Sequence, residues 1–304
     1  LFKQIKFLID KKQFRKNLQR NAHKNFIFTN KYSSNLIDNL RASLILKNVN
    51  INFNINKKLK IIYITNFNER FNGRLHYNTG KRINNGLIKL GHNVLTLSDR
   101  DIISNYKSLV DPSGKKILNT KIIECCKNFN PDMIIMGHAD LISSQQISEL
   151  KDDYPNVRVG QWFLDPLNKN GPDYERNKNR VLDKIDLMDS SFLTTSPTAL
   201  NFLSKKNNCF YIPNPSDDSF ETLNNFNKSC NVDVFFALSH GVHRGILKSG
   251  KIDDRINFLN KLQSITQDIK FDFYGINKIQ PIWADHYFKT IENAKMGLNL
   301  SRGK

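Results

Sequence analysis

The sequence predicts an α/β protein: two parallel-sheet domains, the second incomplete, preceded by an N-terminal helical extension. Three observations carry this expectation. From Lys60 onward, short β-branched runs alternate with amphipathic segments, the pattern of a parallel sheet with helices on both faces. The alternation stops at a polar stretch after Pro213 and Pro215 and then restarts. A chain of 304 residues is also long enough to bury two ordinary cores.

Residues 1–58 come first. Leu1, Ile5 and Leu8, then Leu36, Leu40, Leu44 and Leu46, recur at roughly helical spacing among Lys, Arg and Asn. This segment holds 13 Lys/Arg against 2 acids, so it carries +11 of the net +18. A basic amphipathic helix can cap its own domain or a neighbouring subunit, lie on an anionic membrane, or touch nucleic acid. With no regular aromatic interleaving, the cap or subunit contact is the first expectation, and peripheral contact with the inner face of a membrane the second. Nucleic acid is disfavoured as a partner, because the charge lies in the extension and not on the fold that follows.

The first domain is expected over 59–215. "KIIYIT" (60–65) predicts a strand, followed by the polar loop "NFNERFNGRLHYNTG". "KRINNGLIKL" predicts a helix with Gly91 at its C-cap, and "GHNVLTL" a strand. "TKIIECCKNF" (helix), "PDMIIMG" (strand), "SSQQISELKDDY" (helix) and "RVGQWFLD" (strand) continue the alternation. "SSFLTTS" predicts a strand, "PTALNFLSKK" a helix with Pro197 in its first turn, and "CFYIPNP" a strand. Residues 216–230 then predict a linker. The second domain, 231–304, restarts with strand "VDVFFAL", helix "DDRINFLNKLQSI", strand "KFDFYG", helix "DHYFKTIENAK" and strand "MGLNLS".

Composition narrows the setting. Cys125, Cys126, Cys209 and Cys230 make no C-x-x-C pair and no zinc spacing, so reduced thiols in the cytoplasm are expected. No apolar run approaches the eighteen or so residues that span a bilayer, and "LFKQIKFLIDKKQFRK" lacks the small-residue cleavage site of a secretion signal. Because the chain starts at Leu1 and stops just after a predicted strand, we expect a fragment.

The stretch "HGVHRGILKSGKI" (240–252) contains Gly245-x4-Gly250-Lys251, the frame of a phosphate-gripping loop. Six residues, Ser239 to Arg244, separate it from its strand, and Ile252 stands where a magnesium-binding hydroxyl belongs. A second near match, from Gly73 to Lys81, has Arg82 at that position. Magnesium-dependent nucleotide hydrolysis is therefore not expected. Gly241, Gly245 and Gly250 still permit close backbone approach, and Arg244, Lys248 and Lys251 supply positive charge ahead of a helix N-terminus. His240 and His243 can donate hydrogen bonds; as a metal pair they lack a third ligand. The favoured reading is a diphosphate cradle without magnesium. The plainer one is a solvated loop whose cations answer Asp253 and Asp254.

Taken together, two α/β domains, a Pro-containing linker and a basic loop after the second domain's first strand resemble the GT-B glycosyltransferases. "TTSPTALNFLSKKNNCFYIPNPSDDSF" looks like the close of a GT-B acceptor domain. "DVFFALSHGVHRGILKSGKIDDRINFLNKL" and "FKTIENAKMGLNLS" resemble the donor domain of the CgeB-like group, named for a spore-maturation protein. The resemblance covers about residues 59–304. It implies two Rossmann-like domains and transfer of a sugar from a nucleotide-sugar donor to a saccharide or other hydroxyl-bearing acceptor in the cleft between them. It implies no metal and no cofactor, since cationic side chains and a helix N-terminus hold the leaving diphosphate. Carried over, Arg244 and Lys248, with His240 and His243 beside them, match the donor loop. Ser301 and Arg302 match the strand-end turn that approaches the nucleotide-sugar. The family's later strands, with the acid that grips the ribose, would lie past Lys304, so the chain by itself is not expected to turn over.

On the acceptor side an inverting transferase needs a general base. Asp165, closing "GQWFLD", and His138, closing "MIIMGH", are the first candidates; Asp140 and His76 are the second. Asp165 ahead of Pro166 also suits a turn cap, and His138 a satisfied strand-end histidine. Gly73 permits close approach of acceptor or phosphate. Trp162 and Trp283 suit either sugar stacking or plain packing. Two other functions use the same features: a non-catalytic relative that binds anionic membrane or nucleic acid through the basic helices, and a sugar-nucleotide epimerase of the same fold.

Overall fold

The computed structural model describes residues 2–25, 57–138, 140–171, 173–204, 206–239 and 254–300. These fall into two compact units. One draws on Leu1–Ile27, Phe71–Leu75 and Ser219–Gly303, the other chiefly on His76–Asp218 and the stretch before Phe71.

The larger unit is an α/β fold on a six-stranded, wholly parallel sheet. Its strands are β1 (Lys60–Thr65), β2 (Asn93–Ser98), β3 (Met133–Gly137), β4 (Arg158–Phe163), β5 (Ser190–Leu193) and β6 (Cys209–Tyr211), in the order β2-β1-β3-β4-β5-β6. In β1 every residue after Lys60 is buried, as a central strand covered on both faces requires. Ile62 and Ile64 face one way, into a core with Leu118, Ile122 and Ile147. Leu59, Ile61 and Tyr63 face the other, against Ile83, Leu87 and Trp162. The two layers of helices so implied are those expected of a Rossmann-like fold.

In chain order the helices begin with α1 (Phe2–Asp10) and α2 (Lys12–Asn25), which belong to the smaller unit. The larger unit has α3 (Thr79–Lys89), α4 (Asp99–Tyr106), α5 (Lys115–Phe129), α6 (Ser144–Asp153) and α7 (Tyr174–Leu182). Asn78 caps α3 by accepting the Lys81 N–H, and Ser143 with Gln146 forms a capping box on α6. Gly91, at φ +82°, ends α3 as its sequence position predicts.

The predicted helix at 197–206 does not form. Pro197–Ala199 is a single 3-10 turn, and Leu200 N–H bonds Pro197 O while Leu203 N–H bonds Leu200 O. The tighter winding sends Leu200, Phe202 and Leu203 all into one cluster with Phe163 and Val181, and the step of two from Leu200 to Phe202 is one that a 3.6-residue period does not satisfy.

The smaller unit holds β7 (Val232–Ala237), α8 (Asp254–Ile265), β8 (Phe271–Tyr274), α9 (Ala284–Glu292) and β9 (Ala294–Gly297), with a parallel sheet ordered β8-β7-β9. Its last strand starts earlier than the predicted "MGLNLS", and α9 stops short of Lys295. Ala294 is buried and Lys295 pairs with Asp233 of β7, so this segment is already committed to the sheet. Val234, Phe236, Leu259, Leu262 and Phe273 form its core, and Ile5 of α1 joins them. The first of the predicted N-terminal helices thus packs on this unit; the predicted helical stretch over 26–48 lies outside the described residues. Among the described residues no helix is long and apolar enough to cross a membrane, and all four cysteines are free thiols.

Candidate active site

Strand order in the larger sheet reverses at β1, with β2 on one side and β3 on the other. Crevices at such reversals, beyond the carboxyl ends of the strands, are where open α/β sheets hold ligands. Thr65 ends β1 there, and its Oγ1 donates to Gly137 O at 3.2 Å.

The parallel register sets Gly137 beside Trp162, so the residues that follow β3 and β4 emerge together. A Cβ on Gly137 would lie 2.1 Å from the Trp162 ring and 2.7 Å from Thr65 Oγ1; glycine is what lets the indole lie across the strand. His138 follows at φ +50°, a left-handed conformation uncommon for a residue with a side chain. Its ring stacks on Phe163 with centroids 4.5 Å apart and meets Trp162 edge-on.

His138 Nε2 accepts the Leu164 N–H at 3.1 Å. The neutral ring therefore carries its proton on Nδ1, which faces Asp165 Oδ2 at 3.7 Å. Burial disfavours the imidazolium and holds the His138 pKa below its ordinary value, with Asp165 pulling up and Arg180 pushing down.

Arg180 of α7 approaches Asp165 at 3.9 Å and donates to Asp140 at 3.1 Å. Arg100 of α4 donates to both Asp140 oxygens, at 2.9 and 3.0 Å. A row of alternating charge, Arg100–Asp140–Arg180–Asp165–His138, thus crosses the carboxyl ends of β2, β3 and β4. Beside it, Asp99 is fully buried; one oxygen accepts the Arg100 N–H and the other has no partner. Burial pushes its pKa up to about 6, against the pull of the Arg100 backbone and guanidinium. For buried Asp101, donors from Ser98, Glu69 and Arg70 outweigh the burial penalty and leave its pKa low.

The row separates the candidate bases by what each has left to offer. The lone pair of His138 is spent on Leu164, and both oxygens of Asp140 are spent on guanidinium groups. Asp165 has contacts to His138 and Arg180 that are both longer than a hydrogen bond, and its side chain is 45% exposed. It alone of the three is free to take a proton from solvent-side chemistry.

The other predicted residues lie elsewhere. His76 is exposed, its ring edge-on to Tyr77. Gly73 is exposed at φ +85°, with nothing within 4 Å of where a Cβ would be. Trp162 is only 5% exposed and its Nε1 donates to Tyr63 Oη at 3.0 Å, so it is a packing residue and not a sugar platform. Trp283 is the half-buried N-cap of α9. His240, His243, Arg244, Lys248, Ser301 and Arg302 lie outside the described residues. Their parent strands are neighbours, however: β7 lies between β8 and β9, and Leu298 N–H continues the pairing to Phe235 O. Leu238, after β7, and Leu298, after β9, therefore leave the same edge of the sheet, at its own reversal of strand order.

Arg100, Arg180 and Asp99 are members of the site that sequence reasoning missed. Among the described residues no group of three or more His, Cys, Asp or Glu is placed to hold a metal. No family model matches the chain, and no curated protein matches it.

Proposed function

We propose that this protein is a GT-B-type glycosyltransferase of the CgeB-like kind, moving a sugar from a nucleotide-diphosphate donor to a hydroxyl-bearing acceptor. The reading assigns the acceptor to the six-stranded unit and the donor diphosphate to the three-stranded one. The observation that carries it is Asp165: a half-exposed carboxylate at the carboxyl end of β4, beside the reversal of strand order, flanked by Arg180 and His138. In the inverting form of the reaction Asp165 takes the acceptor proton as the acceptor oxygen bonds the anomeric carbon. The bond from that carbon to the diphosphate breaks, and the departing oxygens fall to Arg244, Lys248 and the α8 N-terminus.

Further support comes from the β8-β7-β9 order: β7 and β9, the strands that the two predicted donor segments follow in sequence, are adjacent. The test is calorimetric titration of uridine and guanosine diphosphates into the protein and into its Arg244→Ala and Lys248→Ala variants. Binding that weakens about tenfold or more on removal of either cation supports the reading. If the protein takes up no nucleoside diphosphate, the reading fails.

A further inference from the structure

Helices α1 and α2 have two dissimilar faces. The inner face is fixed to the three-stranded unit. Ile5 is buried in its core and Ile9 packs on the same cluster. Lys6 pairs with Asp268 at 2.8 Å, and Lys16 and Arg20 lie over the Phe226 ring at 5.4 and 5.1 Å. Arg15 donates to the Leu8 and Ile9 carbonyls at 2.9 and 2.7 Å, and Lys11 N–H bonds Phe7 O. Helical hydrogen bonding therefore continues from α1 through Lys11 into α2, where Arg15 N–H bonds Lys11 O.

The outer face carries a stripe at helical spacing: Lys3, Phe7, Lys11, Phe14 and Leu18. Phe7 and Phe14 are each 47% exposed and Leu18 46%, and the two phenyl rings pack edge to face at 5.4 Å. Lys3, Lys11 and Lys12 are exposed. Residues 2–25 hold eight Lys/Arg and a single acid, Asp10. Among the described residues nothing accounts for three large apolar groups held outward amid this charge.

We propose that this stripe is a membrane-docking surface for anionic bilayers, with Phe7, Phe14 and Leu18 entering the acyl boundary and the lysines meeting anionic headgroups. Charge complementarity selects that occupant. A second copy would bring like charge against like charge, and three half-exposed side chains fall far short of the ~800 Å² per partner of a stable interface. Nucleic acid would reward the lysines and leave the aromatic groups wet.

The test is flotation of the whole chain with vesicles of phosphatidylcholine alone and with a quarter phosphatidylglycerol. Three proteins are compared: unaltered, Phe7→Ser/Phe14→Ser/Leu18→Ser, and Lys3→Gln/Lys11→Gln. Circular dichroism and thermal melts verify the fold of each. We expect binding to the anionic vesicles only, reduced about tenfold or more by either set of substitutions and weakened by salt. Three results overturn the proposal: equal retention on neutral and anionic vesicles, anionic binding that the apolar triple variant keeps, or no vesicle binding. Light scattering that finds a dimer lost in the triple variant, or duplex-DNA retention that it keeps, would name the other occupant if vesicles are ignored.

Discussion

His138 and Asp165 face each other edge to carboxylate, 3.7 Å from Nδ1 to Oδ2, while the far side of the imidazole is occupied by the Leu164 N–H. The histidine therefore orients and the aspartate stays available. The stacking on Phe163 and the left-handed backbone at His138 fix which ring edge is presented.

The protonation state of His138 is checked by nitrogen NMR, with the Nδ1–H tautomer expected and a titration below the ordinary histidine value. A folded pKa lower than the unfolded one means the neutral ring is favoured by folding. That stability is present above about pH 6.5 and is lost as pH falls through the folded value. His138→Gln should flatten the stability profile on the acid side; an Nε2–H tautomer would contradict the arrangement.

Once a donor and acceptor pair is in hand, Asp165→Asn should lower kcat by roughly 10²–10⁴-fold with the fold intact. His138→Gln should cost only about tenfold, and it should move the acid limb of the pH profile. A larger loss from His138→Gln than from Asp165→Asn would place the base on the histidine instead.

Asp99 makes the opposite linkage. Its pKa is raised from 3.8 to about 6 by burial, so its neutral form is favoured by folding. The associated stability is full below the unfolded value and lost as pH rises through the folded one. Asp99→Asn should gain on the order of 2 kcal/mol at pH 7 and about nothing near pH 4, read as urea midpoints. An equal destabilisation at both pH values would show that the carboxylate is held by partners.

Gly137→Ala forces a methyl group into the Trp162 ring and Thr65 Oγ1. We expect a loss of roughly 3 kcal/mol, seen as a melting point lower by about 6–12 °C. Trp162→Phe in the same chain should recover part of it, although it gives up the bond to Tyr63. A neutral Gly137→Ala would mean the indole can move.

Much of the site was legible because parallel strands deliver their next residue to one edge. "PDMIIMG" and "RVGQWFLD" are identifiable strands, so the sequence puts His138 and Asp165 each at a strand end; that the two ends are neighbours comes from the β3–β4 pairing. Arg100 and Arg180 were not, because "DRDIISNY" and "YERNKNRVL" are polar segments whose helices form on tertiary contacts; in α7 only Asn177 and Val181 are buried. Trp162 was ambiguous since a strand aromatic can face either layer, and register alone sends it under Gly137. The turn at Pro197 misled because Leu200 and Leu203 mimic helical spacing while Phe202 breaks it.

Every strand pairing in both sheets is parallel, and this governs how the chain acquires its shape. Among the described residues no hairpin is available as a seed. The pairing closest in sequence within the larger sheet, Ser191 with Cys209, already demands that the turn at Pro197–Ala199 be spanned before a single ladder bond forms. Such pairings are slow to nucleate, and until they close, runs such as "KIIYIT" and "MIIMG" stay open to association with other chains. Recovery from denaturant should accordingly favour dilute protein, with yield rather than final stability as the limiting quantity.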